Sequence, residues 1–178
     1  MNECTNNSDK KNEVATFWED LKSGHFASMI KESSKGNRLS NALEVCNIMK
    51  PFFARQDDIE KIYCIFLDAN NKVIGIENMF SGSITTAAVY TREIVKRVLE
   101  LKATAIILTH NHPSGSTTPS SEDLMITAKI GVALSSIDVV LHDHLIIGEN
   151  YHSFAEQGWL AKAKQKYNEF MSSNKHIM

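Results

Sequence analysis

The junction at which the apolar run Ala105-Ile106-Ile107-Leu108 ends in Thr109-His110-Asn111-His112-Pro113-Ser114-Gly115 constrains this chain more than any other stretch. Four consecutive apolar residues read as a short buried strand. Residues i and i+2 of a strand share a face, so His110 and His112 aim their imidazoles at one point. Pro113 ends the strand. Pro119 and Ser120 then precede a helical pattern from about Ser121 to Ser135, which makes Ser120 a natural N-cap and sets Asp123 in the first turn, where the helix dipole favours a carboxylate. The seven-residue loop over 113–119 is long enough to return that carboxylate to the two histidines. Two neutral imidazoles and one carboxylate, with a fourth position left to water, form the usual ligand set of a catalytic zinc. A lone histidine at a strand end is usually structural, but a pair at strand spacing with an acid so placed favours ligation. The same ligands also suit several other divalent ions.

A metal-bound water becomes a useful nucleophile near neutral pH because the cation lowers its pKa, and a carboxylate that is not a ligand must then take the proton and pass it to the leaving group. The chemistry therefore asks for a second acid. Glu60, Glu77 and Glu93 are the candidates, and Glu93 opens a helix, where the dipole alone explains an acid. Ser120 is a helix cap in any reading. Ser114, Gly115 and Ser116 shape the loop.

His-x-His-Pro followed by Ser-x-x-Asp, with ten residues between His112 and Asp123, resembles the metal-binding core of the JAMM (MPN/JAB) metalloproteases. The longer string His110-Asn111-His112-Pro113-Ser114-Gly115, with Pro119-Ser120 and Asp123, is similar to the bacterial RadC branch. The likeness runs from about Glu60 to Trp159 and includes Phe66-Leu67-Asp68, Ser81-Gly82, Arg92-Glu93, Asp143-His144, Ile146-Ile147-Gly148 and Ser153-Phe154. It implies a mixed β-sheet sandwiched by helices, the cytidine-deaminase-like three-layer architecture. It also implies Zn2+ on His110, His112 and Asp123, Glu60 as general acid/base, Ser120 supporting the oxyanion, and hydrolysis of a peptide or isopeptide bond. One departure touches the rim of the site: RadC proteins read His-Pro-Arg-Glu where this chain has Tyr90-Thr91-Arg92-Glu93.

The remaining histidines carry less. Alternation along a strand sends His142 and His144 to one face and Asp143 to the other, so the three cannot serve one site without a bulge. They are read as structural or as support behind the site. His25, His152 and His176 have no companion ligands, and Trp159 with Leu160 reads as a core anchor.

The organisation expected is a disordered tail and helical segment over 1–55, the metal domain over 56–160, and a C-terminal helix and tail over 161–178. Residues 1 to about 11 are too polar to order. A helix is expected from Val14 to Ser23, a linker over Ser33-Ser34-Lys35-Gly36-Asn37, and a second helix from about Ser40 to Lys50 that Pro51 closes, kinks or restarts. Strands at Ile62–Leu67 and Val73–Ile76 form a hairpin around Asp68-Ala69-Asn70-Asn71-Lys72, and Ser81-Gly82-Ser83 reads as a further turn. A helix from about Thr91 to Lys102 and a strand from Ile137 to Ile147, turning at Gly148-Glu149-Asn150 into Tyr151-His152, complete an α/β fold.

Composition bounds the partners. The net charge of −2 over 178 residues argues against a chain built chiefly to bind duplex nucleic acid. RadC proteins usually carry a helix-hairpin-helix-like segment, and residues 1–55 hold no Gly-x-Gly hairpin of that kind. Cys4, Cys46 and Cys64 are odd in number and lack Cys-x-x-Cys spacing, which points to a reduced cytoplasm and away from a disulfide framework. No apolar run is long enough for a membrane span. A protein or peptide substrate is expected. The rivals are a DNA-repair or mobile-element accessory protein and a catalytically silent interaction module. An HNH nuclease is excluded, because that name describes dispersed residues and not a contiguous tripeptide. Nothing in the pattern fixes an oligomeric state.

Overall fold

The computed structural model describes residues 16, 19–20, 23–54, 59–82 and 91–173. Along the chain it places α1 (His25–Ser33), α2 (Ala42–Phe53), β1 (Glu60–Leu67), β2 (Val73–Gly82), α3 (Thr91–Leu101), β3 (Ala105–Asn111), α4 (Ser121–Ser135), β4 (Val140–Ile147), β5 (Tyr151–Ser153) and α5 (Trp159–Ser173). The strands form one sheet in the order β2-β1-β3-β4-β5. β1 runs antiparallel to β2 and to β3, β3 and β4 are parallel, and β5 turns back antiparallel on β4. A parallel pair needs a crossover, and α4 supplies it. The sheet is mixed and has helices on both faces, as the sequence implies. No helix among the described residues is long and apolar enough to cross a membrane.

The period of two in β1 and β3 sorts the core. Ile65, Leu67 and Ile107 face Val45, Cys46, Met49 and Phe52 of α2. Ile62, Cys64, Phe66, Ile106 and Leu108 face Ile94 and Val98 of α3 and Ile126, Ile130 and Leu134 of α4. Each fully buried Ile, Leu or Phe contributes about 1.5–3 kcal/mol, so both faces of these central strands are strongly specified. The register follows from that. Ile62 lies opposite His110, so His110 continues the row of Ile106 and Leu108 and meets the end of α4, while Glu60 continues the row of Ile62 on the same face.

Several local expectations change. α1 was not anticipated: it buries none of its residues fully, and only Ala27 and Ile30 pack on the core. α2 starts at Ala42 with Asn41 as cap, its side chain accepting from Glu44 N at 2.9 Å, and runs through Pro51 to Phe53. Pro51 does not close it, because Phe52 is buried and Phe52 and Phe53 set their rings edge-on to Tyr63 at 5.3 and 5.4 Å. That packing is comparable to the roughly 3 kcal/mol a helical proline costs. The linker over 33–37 is tied to the sheet: Gly36, at φ +79°, donates to Val73 O, and Val73 N donates to Asn37 O. Ser81 and Gly82 are strand residues opposite Lys61 and Glu60, not a turn, since β2 pairs with β1 along its whole length. β4 begins at Val140, after a turn in which Asp138 has φ +57°. The polar tail and most of the helix expected over 14–23 lie outside the described residues.

Candidate metal centre

The end of β3 and the first turn of α4 bring His110, His112 and Asp123 together. His110 Nε2 lies 3.1 Å from Asp123 Oδ1, His112 Nε2 lies 3.3 Å from Asp123 Oδ2, and the two Nε2 atoms are 3.0 Å apart. Bonds of about 2.0–2.1 Å at tetrahedral angles would set ligand atoms roughly 3.3 Å from one another, close to this spacing. Two ring nitrogens and a carboxylate converging on one buried point form a donor set that suits a divalent cation, and these three residues can hold one. His110 and Asp123 are almost wholly buried, whereas the His112 side chain keeps 12% of its surface and marks the side open to solvent.

Asp123 and His112 are each fixed by a local device. Ser120 and Asp123 form a reciprocal cap: Asp123 N donates to Ser120 Oγ at 3.1 Å, and Ser120 N and Oγ both donate to Asp123 Oδ2 at 2.7 Å. His112 Nδ1–H donates to the carbonyl of Ser116 at 2.9 Å, which leaves Nε2 of a neutral ring bare toward the site. The loop that carries this carbonyl turns at Gly115, φ +73°, and rests on the turn after β4. A Cβ on Gly148 would lie 2.5 Å from Gly115 O. Gly148→Ala should therefore push the loop outward, costing about 1–3 kcal/mol in thermal stability and weakening zinc binding in a chelator competition. Native affinity in that variant would show that the loop yields without disturbing His112.

Charge follows geometry. Burial alone would push the Asp123 carboxyl up, but the His110 and His112 imidazoles set against it outweigh burial and hold the group well below the usual carboxylate range. The hydrogen bond to Asp123 raises the His112 imidazole, and the charge of Glu60 adds to the rise.

Glu60 thus lies within electrostatic reach of His112, half-buried at the start of β1 and on the face shared by Ile62 and His110. Its competitors are engaged elsewhere. Glu77 is clasped by Arg97 through two contacts of 2.7 Å, and Glu93 meets Arg92 at 3.1 Å. Asn111, treated in the sequence only as the residue between the histidines, has its own task. Its carboxamide accepts from Lys61 N at 2.8 Å and donates to Ile59 O at 3.3 Å, bracketing Glu60 between two backbone anchors.

β4 does contain a bulge within the triplet at 142–144, but the three still do not serve one site. The register slips so that Leu141 pairs with Ile106 and Asp143 with Ile107, leaving His142 as the extra residue. His142 is exposed and bonds Asn71 Oδ1 at 2.9 Å, away from the cluster of His110, His112 and Asp123. Asp143 anchors the turn into α5, accepting from His144 N, Ala155 N and Ser153 Oγ, and burial pushes its carboxyl up. His144 alone of the three reaches the site: its Nε2 lies 2.8 Å from His110 Nδ1, and burial drives its imidazole well below the ordinary histidine value.

A mixed sheet whose buried central strand delivers His-x-His to an acid in the first turn of a crossover helix defines a JAB-type domain. The model of the RadC-like JAB domain matches residues 39–159 of the 178, and the chain belongs to that family. Its relatives include a UPF0758 protein of Photobacterium profundum, 53% identical over 57% of this chain and 46% of that protein. One of Legionella pneumophila strain Paris is 46% identical over 69% and 55%, and one of Thiobacillus denitrificans 41% identical over 74% and 59%. The chain thus spans about half the length of the curated relatives it matches.

Proposed function

We propose that this protein is a zinc-dependent metallohydrolase of JAMM type that cleaves a peptide or isopeptide bond in a protein or peptide substrate. The observation that carries this reading is the convergence of His110, His112 and Asp123 with Glu60, an acid on the His110 face of the sheet that is not one of the three. Zinc bound there would supply Lewis acidity, drawing the pKa of water toward neutrality and polarising a carbonyl.

The protein residues supply the rest. Asp123, locked by the Ser120 cap and held ionised, keeps one negative charge at the site and fixes its geometry. The substrate amide reaches the site from the solvent side of His112. Glu60 takes a proton from the attacking water as its oxygen bonds to the carbonyl carbon, then delivers that proton to the amide nitrogen as the C–N bond breaks. Ser120 donates its hydroxyl to Asp123 at rest and turns it toward the carbonyl oxygen as charge develops there. The proximity of Glu60 to His112 favours turnover over a silent interaction module, and the net charge of −2 argues against a DNA accessory role. Cys46 and Cys64 are free thiols, which accords with a cytoplasmic setting.

The test is zinc-dependent cleavage of peptide and isopeptide libraries, read by mass spectrometry. Hydrolysis should stop when a chelator strips the protein and return with added zinc. One zinc per chain with neither library cut would overturn the hydrolase reading and leave the interaction module in its place.

A further inference from the structure

Behind His110 stands a buried row of hydrogen bonds that the metal ligands alone do not explain. His110 Nδ1 meets His144 Nε2 at 2.8 Å, His144 Nδ1 meets Thr127 Oγ1 at 2.6 Å, and Thr127 Oγ1 meets the backbone carbonyl of Asp123 at 2.5 Å. His110, Thr127 and His144 are all buried. The far end of the row sets its direction. A carbonyl oxygen only accepts, so the single hydroxyl proton of Thr127 goes to Asp123 O. Thr127 Oγ1 must then accept, and His144 Nδ1 carries the proton it accepts. A neutral imidazole has one such proton, so His144 Nε2 is bare and accepts from His110 Nδ1–H. His110 Nε2 is thereby left without a proton, facing His112 and Asp123.

We infer that His144 and Thr127 are positioning residues, a one-way hydrogen-bond relay that fixes the tautomer of His110 and keeps its Nε2 ready to ligate. The inference rests on the metal-site reading above and deepens it. His112 reaches the same state through one backbone carbonyl, that of Ser116. His110, buried in the sheet beside β4, instead uses a histidine from β4 and a threonine one turn beyond Asp123 on α4. Asp123 therefore serves twice, its carboxylate at the metal position and its carbonyl as the terminus of the relay. The same arrangement couples β3, β4 and α4, so a shift of any one alters the donor offered to the metal.

Thr127→Val keeps the shape and removes the hydroxyl, Thr127→Ser keeps the hydroxyl, and His144→Gln keeps an acceptor for His110 Nδ1–H. In the metal-free full chain, side-chain 1H–15N correlation spectra should show His110 and His144 as Nδ1–H tautomers in the native protein and in Thr127→Ser. In Thr127→Val that pattern should be lost at His144, and zinc affinity, read by chelator competition, should fall roughly 10–100-fold. Thr127→Ser should restore it, and His144→Gln should hold His110 in the Nδ1–H form. A native His110 carrying its proton on Nε2, or a Thr127→Val protein with native tautomers and native zinc affinity, would overturn the relay. A native chain that takes no zinc but shows the Nδ1–H tautomers would instead defeat the metal reading and leave the relay standing. The two failures are therefore distinct.

Discussion

Glu60→Gln should leave zinc binding within a few-fold of native and slow amide hydrolysis by about 10²–10⁴, the range that general acid–base catalysis supplies. The substitution preserves size and hydrogen-bonding reach at the start of β1, and Asn111 still brackets the backbone on either side, so the strand has no reason to move. What disappears is the group that accepts the proton of water and returns it to the departing nitrogen. The loss should fall on kcat at saturating zinc, with KM little changed. Glu77→Gln is the control. Arg97 would lose part of a half-exposed bidentate pair, which affects how α3 sits on β2 and is worth about 1 kcal/mol or less, so turnover should be close to native. If Glu77→Gln abolished cleavage and Glu60→Gln did not, the acid would have been assigned to the wrong strand.

The contrast between these glutamates shows what a sequence can disclose. His110, His112 and Asp123 were legible because their relations are local: two residues along a strand, and the third position after a helix cap. Glu60 is fifty residues from His110, and its place on the same face becomes visible only once Ile62 is known to lie opposite His110. Sequence reasoning reached it through family likeness alone. His144 was hidden by the bulge at His142, because an inserted residue changes which face the following side chains take. Thr127 carried a usable signal, four residues after Asp123 on one helix, but its partners lie on a different strand. Asn111 acts through side-chain bonds to a distant backbone, for which no spacing rule exists. α1 was missed, and the passage of α2 through Pro51 left open, for a related reason, since both depend on tertiary contacts that outweigh local preference.

Asp123→Ala removes one of the three groups proposed to hold the metal and should have the largest effect on it. In structural zinc sites about 10–16 kcal/mol is spread over four protein ligands, on the order of 3 kcal/mol for each, so on that scale affinity should fall roughly a hundredfold or more. The same change breaks half of the reciprocal cap, which is worth about 1 kcal/mol of metal-free stability. Its pH signature separates it from a generic loss of packing. In the metal-free native protein His112 is raised by its hydrogen bond to Asp123, so that contribution is full below the unfolded histidine pKa and is lost as pH rises through the higher folded value. Asp123 is lowered, so its contribution is present above the unfolded carboxylate pKa of about 4 and is lost as pH falls toward the folded value. The pair therefore stabilises most between about pH 4 and 6.5, and Asp123→Ala should flatten that maximum in urea midpoints measured at pH 5.5 and 9. Zinc binding runs the other way at its acid edge. A proton on His112 competes with the metal, so native affinity should fall on the order of tenfold per pH unit below the His112 pKa. With Asp123 gone, the cause of the raised value is gone too, and the weaker site should begin to lose zinc at a lower pH than the native one. An unchanged acid edge in the variant would mean that Asp123 does not set the protonation of His112.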